Sequence, residues 1–199
     1  MSDPTTLRAL ADLPMQPVSL AESTLVMIDC QNTYTRGVME LEGVQAALDE
    51  AAALLDRART AGIPVIHIQH DDGPDSLYDI AGESGAIVTR VAPRDGEPVV
   101  VKNYPNSFVQ TELDEVLKSV EATNLVLAGF MTHMCVNSTA RGAFNLGYAP
   151  TVVAAATATR ALPGLGDATV PAAAMQAASL AAVADLFAVV VPDTGSIPD

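Results

Sequence analysis

The chain has 199 residues, of which 49% are apolar, and it carries two cysteines and a formal net charge of −14 at pH 7. That length and hydropathy support one full core and exclude a disordered chain, while the negative charge argues against nucleic acid or an anionic membrane surface as a partner. The first twenty residues hold Pro4, Pro14 and Pro17 and no apolar run, so no secretory signal is expected, and two cysteines without one point to reduced thiols and a cytoplasmic location.

After a polar leader over residues 1–22, a single domain is expected over 23–199, with strands and helices in alternation. Thr24–Ile28 is an apolar strand that ends at Asp29. Gly43–Ala61 repeats Val44, Ala47, Leu48, Ala51, Leu54, Leu55 and Ala58 at helical spacing and is closed by Gly62. Pro64–Gln69 is the second strand. Asp71–Glu97 is rich in Gly, Asp and Pro without periodicity and reads as one long excursion, a length often given to lids or interface arms. Pro98–Val101 is a third strand ending at Lys102, and Thr111–Val120 is a helix whose Thr111 and Asp114 fit a capping box loosely. Asn124–Ala128 and Thr151–Ala155 are further strands. Val170–Leu186 is a helix and Ala188–Val191 a sixth strand; polar interruptions make the apolar stretch 172–191 a packed helix and strand, not a membrane span.

Between the fourth and fifth strands lies Gly129–Gly147, GFMTHMCVNSTARGAFNLG. Cys135, Ser138, Thr139, Gly142, Ala143 and Leu146 form one helical stripe, built mostly from small residues that let a helix lie close to a sheet. Cys135 then falls in the first helical turn, where free N–H groups and the helix dipole favour a thiolate. A small buried hydrophobe is the plainer reading of the same cysteine.

Continuous apolar strands separated by helices define an α/β, Rossmann-like, three-layer α/β/α fold on a six-stranded parallel sheet. Ligands in such sheets bind at the carboxyl ends of the strands. Asp29, Lys102 and Cys135 all follow strand ends, so one sheet edge gathers an acid, a cation and a thiol, the parts of a nucleophile with its own base.

Asp29-Cys30-Gln31-Asn32, Lys102 with Tyr104–Phe108 (YPNSF), and GFMTHMCVNSTARGA together resemble the isochorismatase-like cysteine hydrolases over roughly Thr24–Val191. The resemblance implies a catalytic triad of Asp29, Lys102 and Cys135. It also implies a cis peptide at Phe130–Met131 and an oxyanion hole from the N–H groups of Met131 and Cys135. Relatives that cleave a vinyl ether typically lack the cysteine, so its presence favours acyl transfer at a C–N bond. Metal-dependent relatives place Asp-x-His and a further His after the second strand; here the stretch His67–Gly73 offers an incomplete set, and neither metal nor other cofactor is expected. Ala155 stands where many relatives carry an Asp.

The remaining polar and aromatic residues have competing roles. His67, inside a strand, is expected to be a hydrogen-bonded core histidine. His70, at the strand end, lines the pocket or is simply exposed. His133 could orient backbone. Gln31 positions water or substrate, or bonds its own turn. Tyr34, Tyr104 and Phe108 wall an apolar pocket or merely pack. Cys30 is expected to point away from Asp29. The functional expectation is a metal-independent hydrolase of a small amide, lactam or carbamoyl compound, assembled as a homodimer or larger even oligomer. Ether hydrolysis with Cys135 a bystander, a catalytically idle oligomeric scaffold, and a thiol redox sensor are the alternatives.

Overall fold

The apolar runs become strands because they are rich in β-branched residues and are covered on both faces. In the computed structural model, which describes residues 4–199, they are β1 (Ser23–Ile28), β2 (Val65–His70), β3 (Val99–Lys102), β4 (Asn124–Phe130) and β5 (Ala149–Ala158). A small antiparallel pair, β6 (Leu162–Pro163) and β7 (Thr169–Val170), precedes the last strand, β8 (Val189–Val191). The order β3-β2-β1-β4-β5-β8 makes one six-stranded sheet with every neighbouring pair parallel. The α/β class and the six-stranded parallel sheet expected from the sequence are both present. Because the chain winds outward from β1 to β3 and then returns to β4, the switch in winding falls between β1 and β4.

The helices are α1 (Leu7–Leu10), α2 (Val44–Ala61), α3 (Leu113–Ser119), α4 (Asn137–Asn145) and α5 (Ala172–Ala184). α2 buries the whole stripe read from its spacing and ends at Gly62, whose φ of 69° lets its N–H reach back to the last carbonyls. It covers one face of the sheet, against Leu25, Met27, Val126 and Ala128. α3, α4 and α5 cover the other, against Val26, Ile28, Leu125 and Leu127. This alternation along β1 and β4 is the period-two consequence of a strand buried on both sides. None of the helices among the described residues is long and apolar enough to cross a membrane.

Several elements differ from the sequence expectation. α3 starts at Leu113, and its N-cap Glu112 makes no side-chain bond; Thr111 instead donates its hydroxyl to Ser107 O. β5 runs to Ala158 through a bulge, its register passing from Leu127↔Val152 to Gly129↔Thr157, so that Ala155 is pushed out to solvent and donates its N–H to Pro192 O. Of the leader expected over 1–22, residues 1–3 lie outside the described part. The rest is held down by Arg8, which is 5% exposed and donates to Pro14 O and Leu186 O.

The 71–97 excursion has one helical turn, Thr89–Val91, and is otherwise irregular. It is tied at its far end by Glu97, which accepts from Arg59 Nε and Nη2 at 2.7 and 2.8 Å, from Arg94 N at 2.8 Å, and meets His67 Nε2 at 3.0 Å. His67 is the hydrogen-bonded core histidine expected, and burial lowers its pKa. The Arg59 guanidinium holds the Glu97 carboxyl down at about 2, with the Arg94 N–H and His67 adding to it against burial. A folded pKa below the unfolded ~4.3 stabilises the fold above that pH, and the contribution fades as pH falls through about 2. Glu97→Gln should therefore lower stability by about 1–2 kcal/mol at neutral pH. Urea titrations repeated toward pH 2 should show the gap to wild type closing.

Gly129 has φ of 119°, and a Cβ there would lie 1.9 Å from Ile28 O. Gly129→Ala forces β4 away from β1 and should cost more than ~2 kcal/mol, read as a fall in the urea midpoint.

Candidate active site

Two strand rows deliver their last side chains to one place. Ile66 and Ile68 on β2 face the α3–α4 side, and two residues on the same face is His70; Val100 on β3 is followed in the same way by Lys102. His70 and Lys102 are register partners on adjacent strands. Asp29 would face the opposite side if β1 kept its alternation after Ile28. Its φ of 48°, a left-handed conformation that Asp tolerates better than most residues, breaks the alternation and turns the carboxylate toward Lys102. Cys30 consequently joins the α2-side cluster, away from Asp29 and Cys135 as expected, and burial raises its pKa.

Cys135 does not open α4. It sits in a π-helical turn, Thr132–Val136, that follows the cis peptide Phe130–Met131 and leads into α4 at Asn137. π-turns of this kind are rare and occur often at functional sites. Of the stripe read from the sequence, Cys135, Thr139, Gly142 and Ala143 are buried, together with Val136 and Ala140, while Ser138 is half-buried and Leu146 is exposed. Its small residues serve close packing of the YPNSF loop as well as the sheet. Asn106 lies where a Cβ on Gly142 would be, and Ser107 bonds Thr139 Oγ1 through both its N–H and its hydroxyl.

Lys102 Nζ is 2.7 Å from Asp29 Oδ2, 3.4 Å from Cys135 Sγ and 3.0 Å from His70 Nδ1. Asp29 and Lys102 are fully buried and Cys135 is 5% exposed. The ammonium is at ion-pair distance from Asp29 Oδ2, and Asp29 Oδ1 has no hydrogen-bond donor among the described residues. Burial raises the Asp29 pKa, and Lys102 opposes the rise. The Cys135 thiol is also pushed up, first by burial and then by the Asp29 charge, with Lys102 opposing both. The lowered thiol pKa expected from a helix start is therefore reversed. Burial favours the uncharged form of the thiol and raises the affinity of the neighbouring Asp29 carboxylate for a proton.

The other candidates divide. Tyr34 is buried, packs edge-on against Phe130 and Tyr78, and is close enough to the triad for the charges of Asp29 and Cys135 to raise its pKa after burial has done so. Gln31 is fully buried with its amide spent on backbone: it accepts from His70 N and donates to His70 O and Gly85 O, leaving little for substrate. Phe108 stacks on Tyr148 beside the start of β5, at the far end of the sheet, and does not wall the site. Tyr104 is 44% exposed on the loop after β3. His133 Nδ1 lies 2.5 Å from Thr159 Oγ1. Two residues near the triad had no sequence signal because they lie in the unpatterned excursion. Tyr78 packs edge-on against His70 at 4.9 Å, and Asp72 Oδ1 is 3.0 Å from His70 Nε2. The stretch after β2 does not fit a metal: His67 is engaged by Glu97 and His70 faces an ammonium. Among the described residues no group of three or more His, Cys, Asp or Glu could hold an ion.

A parallel sheet with an acid, a lysine and a cysteine at its switch point is the frame of a hydrolase, and the isochorismatase domain model matches residues 23–193. The chain belongs to the isochorismatase family of hydrolases. It is similar to a crystal structure described as an isochorismatase from Pseudomonas putida KT2440, at 37% identity with a TM-score of 0.93, over 98% of this chain and 99% of that one. It is 31% identical over 188 residues to a secreted isochorismatase effector of Verticillium dahliae, covering 94% of this chain and 96% of the relative. A streptothricin hydrolase of Streptomyces noursei is 32% identical over 176 residues, covering 87% of this chain and 63% of that protein.

The charges around the thiol make opposite demands that alkylation can separate. Lys102→Ala removes the only group among those named that favours the thiolate, and the pH curve for iodoacetamide labelling of Cys135 should move to higher pH. Asp29→Asn removes an opposing charge, so labelling at pH 7 should become faster than in wild type while hydrolysis is lost. Mass spectrometry of the labelled peptide in a Cys30→Ser background reads both.

Proposed function

We propose that this chain is a cysteine-dependent amidohydrolase that cleaves a C–N bond of a small amide, lactam or carbamoyl compound through a thioester on Cys135. The observation that carries it is the contact of one buried ammonium with both Asp29 Oδ2 and Cys135 Sγ. Passing the thiol proton to Asp29 turns a carboxylate and a thiol into an acid and a thiolate, with no change in net charge inside a buried site. Lys102 lies against both charged positions, so the transfer needs no large reorganisation. The sulfur then bonds the carbonyl carbon, and the oxygen takes up charge facing the N–H groups of Met131 and Cys135. Collapse breaks the C–N bond as Asp29 returns its proton to the nitrogen. Water, losing a proton to Asp29, attacks the thioester, and that proton restores the thiol.

Tyr34 and Tyr78 are the side chains that would confine the substrate beside the thiol. Their aromatic surfaces suit a small planar group better than a charged one. Tyr104 is assigned to the outer mouth. The same reading includes a homodimer or larger even oligomer. α5 is mostly alanine, and Ala173, Ala174, Ala177, Ala178, Ala181 and Ala182 are exposed, which is a face that a neighbouring subunit would cover. Two free cysteines support a reducing, cytoplasmic setting.

Screening small amides, lactams and carbamoyl compounds for released ammonia or amine tests the reaction. The hit should be abolished in Cys135→Ala, and Lys102→Ala should lose nearly as much, at least ~10³ in kcat, with the double variant no worse than either because the three groups act together. Vinyl-ether cleavage that survives Cys135→Ser would overturn the thioester in favour of the ether reaction.

A further inference from the structure

The triad lysine has a third partner that the thioester scheme leaves unused. An ammonium has three N–H bonds and no lone pair, and Lys102 has three neighbours: Asp29 Oδ2, Cys135 Sγ and His70 Nδ1. His70 Nδ1 must therefore be an acceptor, which puts the ring proton on Nε2. There it points at Asp72 Oδ1, 3.0 Å away, so both neighbours select the same tautomer. The backbone of His70 is fixed as well, since the Gln31 amide accepts from its N–H at 2.9 Å and donates to its carbonyl at 2.8 Å. Tyr78 packs edge-on against the ring. A histidine that only lined a pocket would need none of these constraints.

We infer that His70, with Asp72 behind it, is a positioning residue that holds the Lys102 ammonium against Cys135. The physical reason lies in the Asp29 carboxylate, whose Oδ2 is 2.7 Å from the ammonium while Oδ1 has no donor among the described residues. A carboxylate is a much stronger acceptor than a thiol, and Lys102 already lies 0.7 Å closer to the carboxylate than to the sulfur, from 2.7 and 3.4 Å. With the third N–H released, the ammonium would settle across both carboxylate oxygens and withdraw from the sulfur. His70 supplies the opposing pull, and Asp72 keeps its Nδ1 lone pair aimed inward by accepting the Nε2 proton. The residue acts through Lys102 and not on the substrate, so this inference rests on the proposed triad.

Three substitutions separate the two ring nitrogens. His70→Asn keeps an oxygen near the position of Nδ1 and loses the link to Asp72. His70→Gln reaches the position of Nε2 and loses the acceptor for Lys102, and His70→Leu loses both. The rate of Cys135 alkylation by iodoacetamide at pH 7 is the primary readout because it needs no known substrate, with circular dichroism and thermal melts confirming a native fold. Gln and Leu should slow alkylation about ten- to hundredfold, the range of one charge-assisted hydrogen bond, and Asn should recover most of the loss. Where an amide substrate is in hand, kcat should fall in parallel with little change in KM. Slowing in Lys102→Ala but not in the Gln or Leu variants would overturn the role of His70 alone, as would equal slowing in all three His70 variants. An unchanged rate in Lys102→Ala would instead overturn the electrostatic role of Lys102 and the inference with it.

Discussion

The structure turns on a lysine ammonium buried away from the surface. Lys102 is fully buried, and a charge in that position is tolerated only with a compensating partner and satisfied donors. Asp29 provides the opposite charge, and Cys135 and His70 take the remaining N–H groups. Removing one partner of a buried pair typically costs about 3–5 kcal/mol, because the other charge is left stranded. Folding and the proposed chemistry thus depend on the same contacts. In the proposed mechanism a thiol whose pKa burial raises can still be a nucleophile, because the proton moves within the site and the cation stays beside whichever partner is negative.

Holding the three groups together depends on backbone exceptions. Asp29 adopts a left-handed φ directly after the last regular residue of β1, and Gly129 lies so close to Ile28 O that no side chain fits between them. The π-turn then brings Cys135 to the strand ends and leads into α4. Each departure from regular structure falls within a few residues of the triad. Local irregularity of this kind persists where surrounding packing over-determines it, and here the strands on both sides are fully buried.

The excursion between β2 and β3 is held to the site by polar contacts, not by a core of its own. Gln31 and Gln69 both donate to Gly85 O, and a Cβ on Gly85 would lie 2.2 Å from Asp79 O, so the arm folds tightly on itself at that point. Asn32 N and Thr33 N bond Ala86 O and Ser84 O, while Val88 N returns to Cys30 O. This stitching places Tyr78 over His70 and leaves Cys135 nearly enclosed. Gln31, read from the sequence either as a contact to water or substrate or as a turn-bonding residue, bonds this scaffold.

Periodicity was enough to order the strands and helices and to predict the parallel sheet, because two-faced burial writes continuous apolar runs and α2 writes a clean helical stripe. It also placed Asp29, Lys102 and Cys135 at one edge, since all three follow strand ends and parallel strands end together. The turn of Asp29 against its strand, the π-turn before α4 and the β5 bulge were not legible, because each is a backbone choice enforced by neighbours distant in sequence. The same holds for Gln31 bonding Gly85, Phe108 packing on Tyr148 and Asp72 reaching His70. The sign of the Cys135 pKa shift is the clearest case. Sequence shows a thiol near a helix and a lysine, but whether the charged form is favoured depends on how much water is removed and on which charge lies closer, and only the tertiary structure decides those.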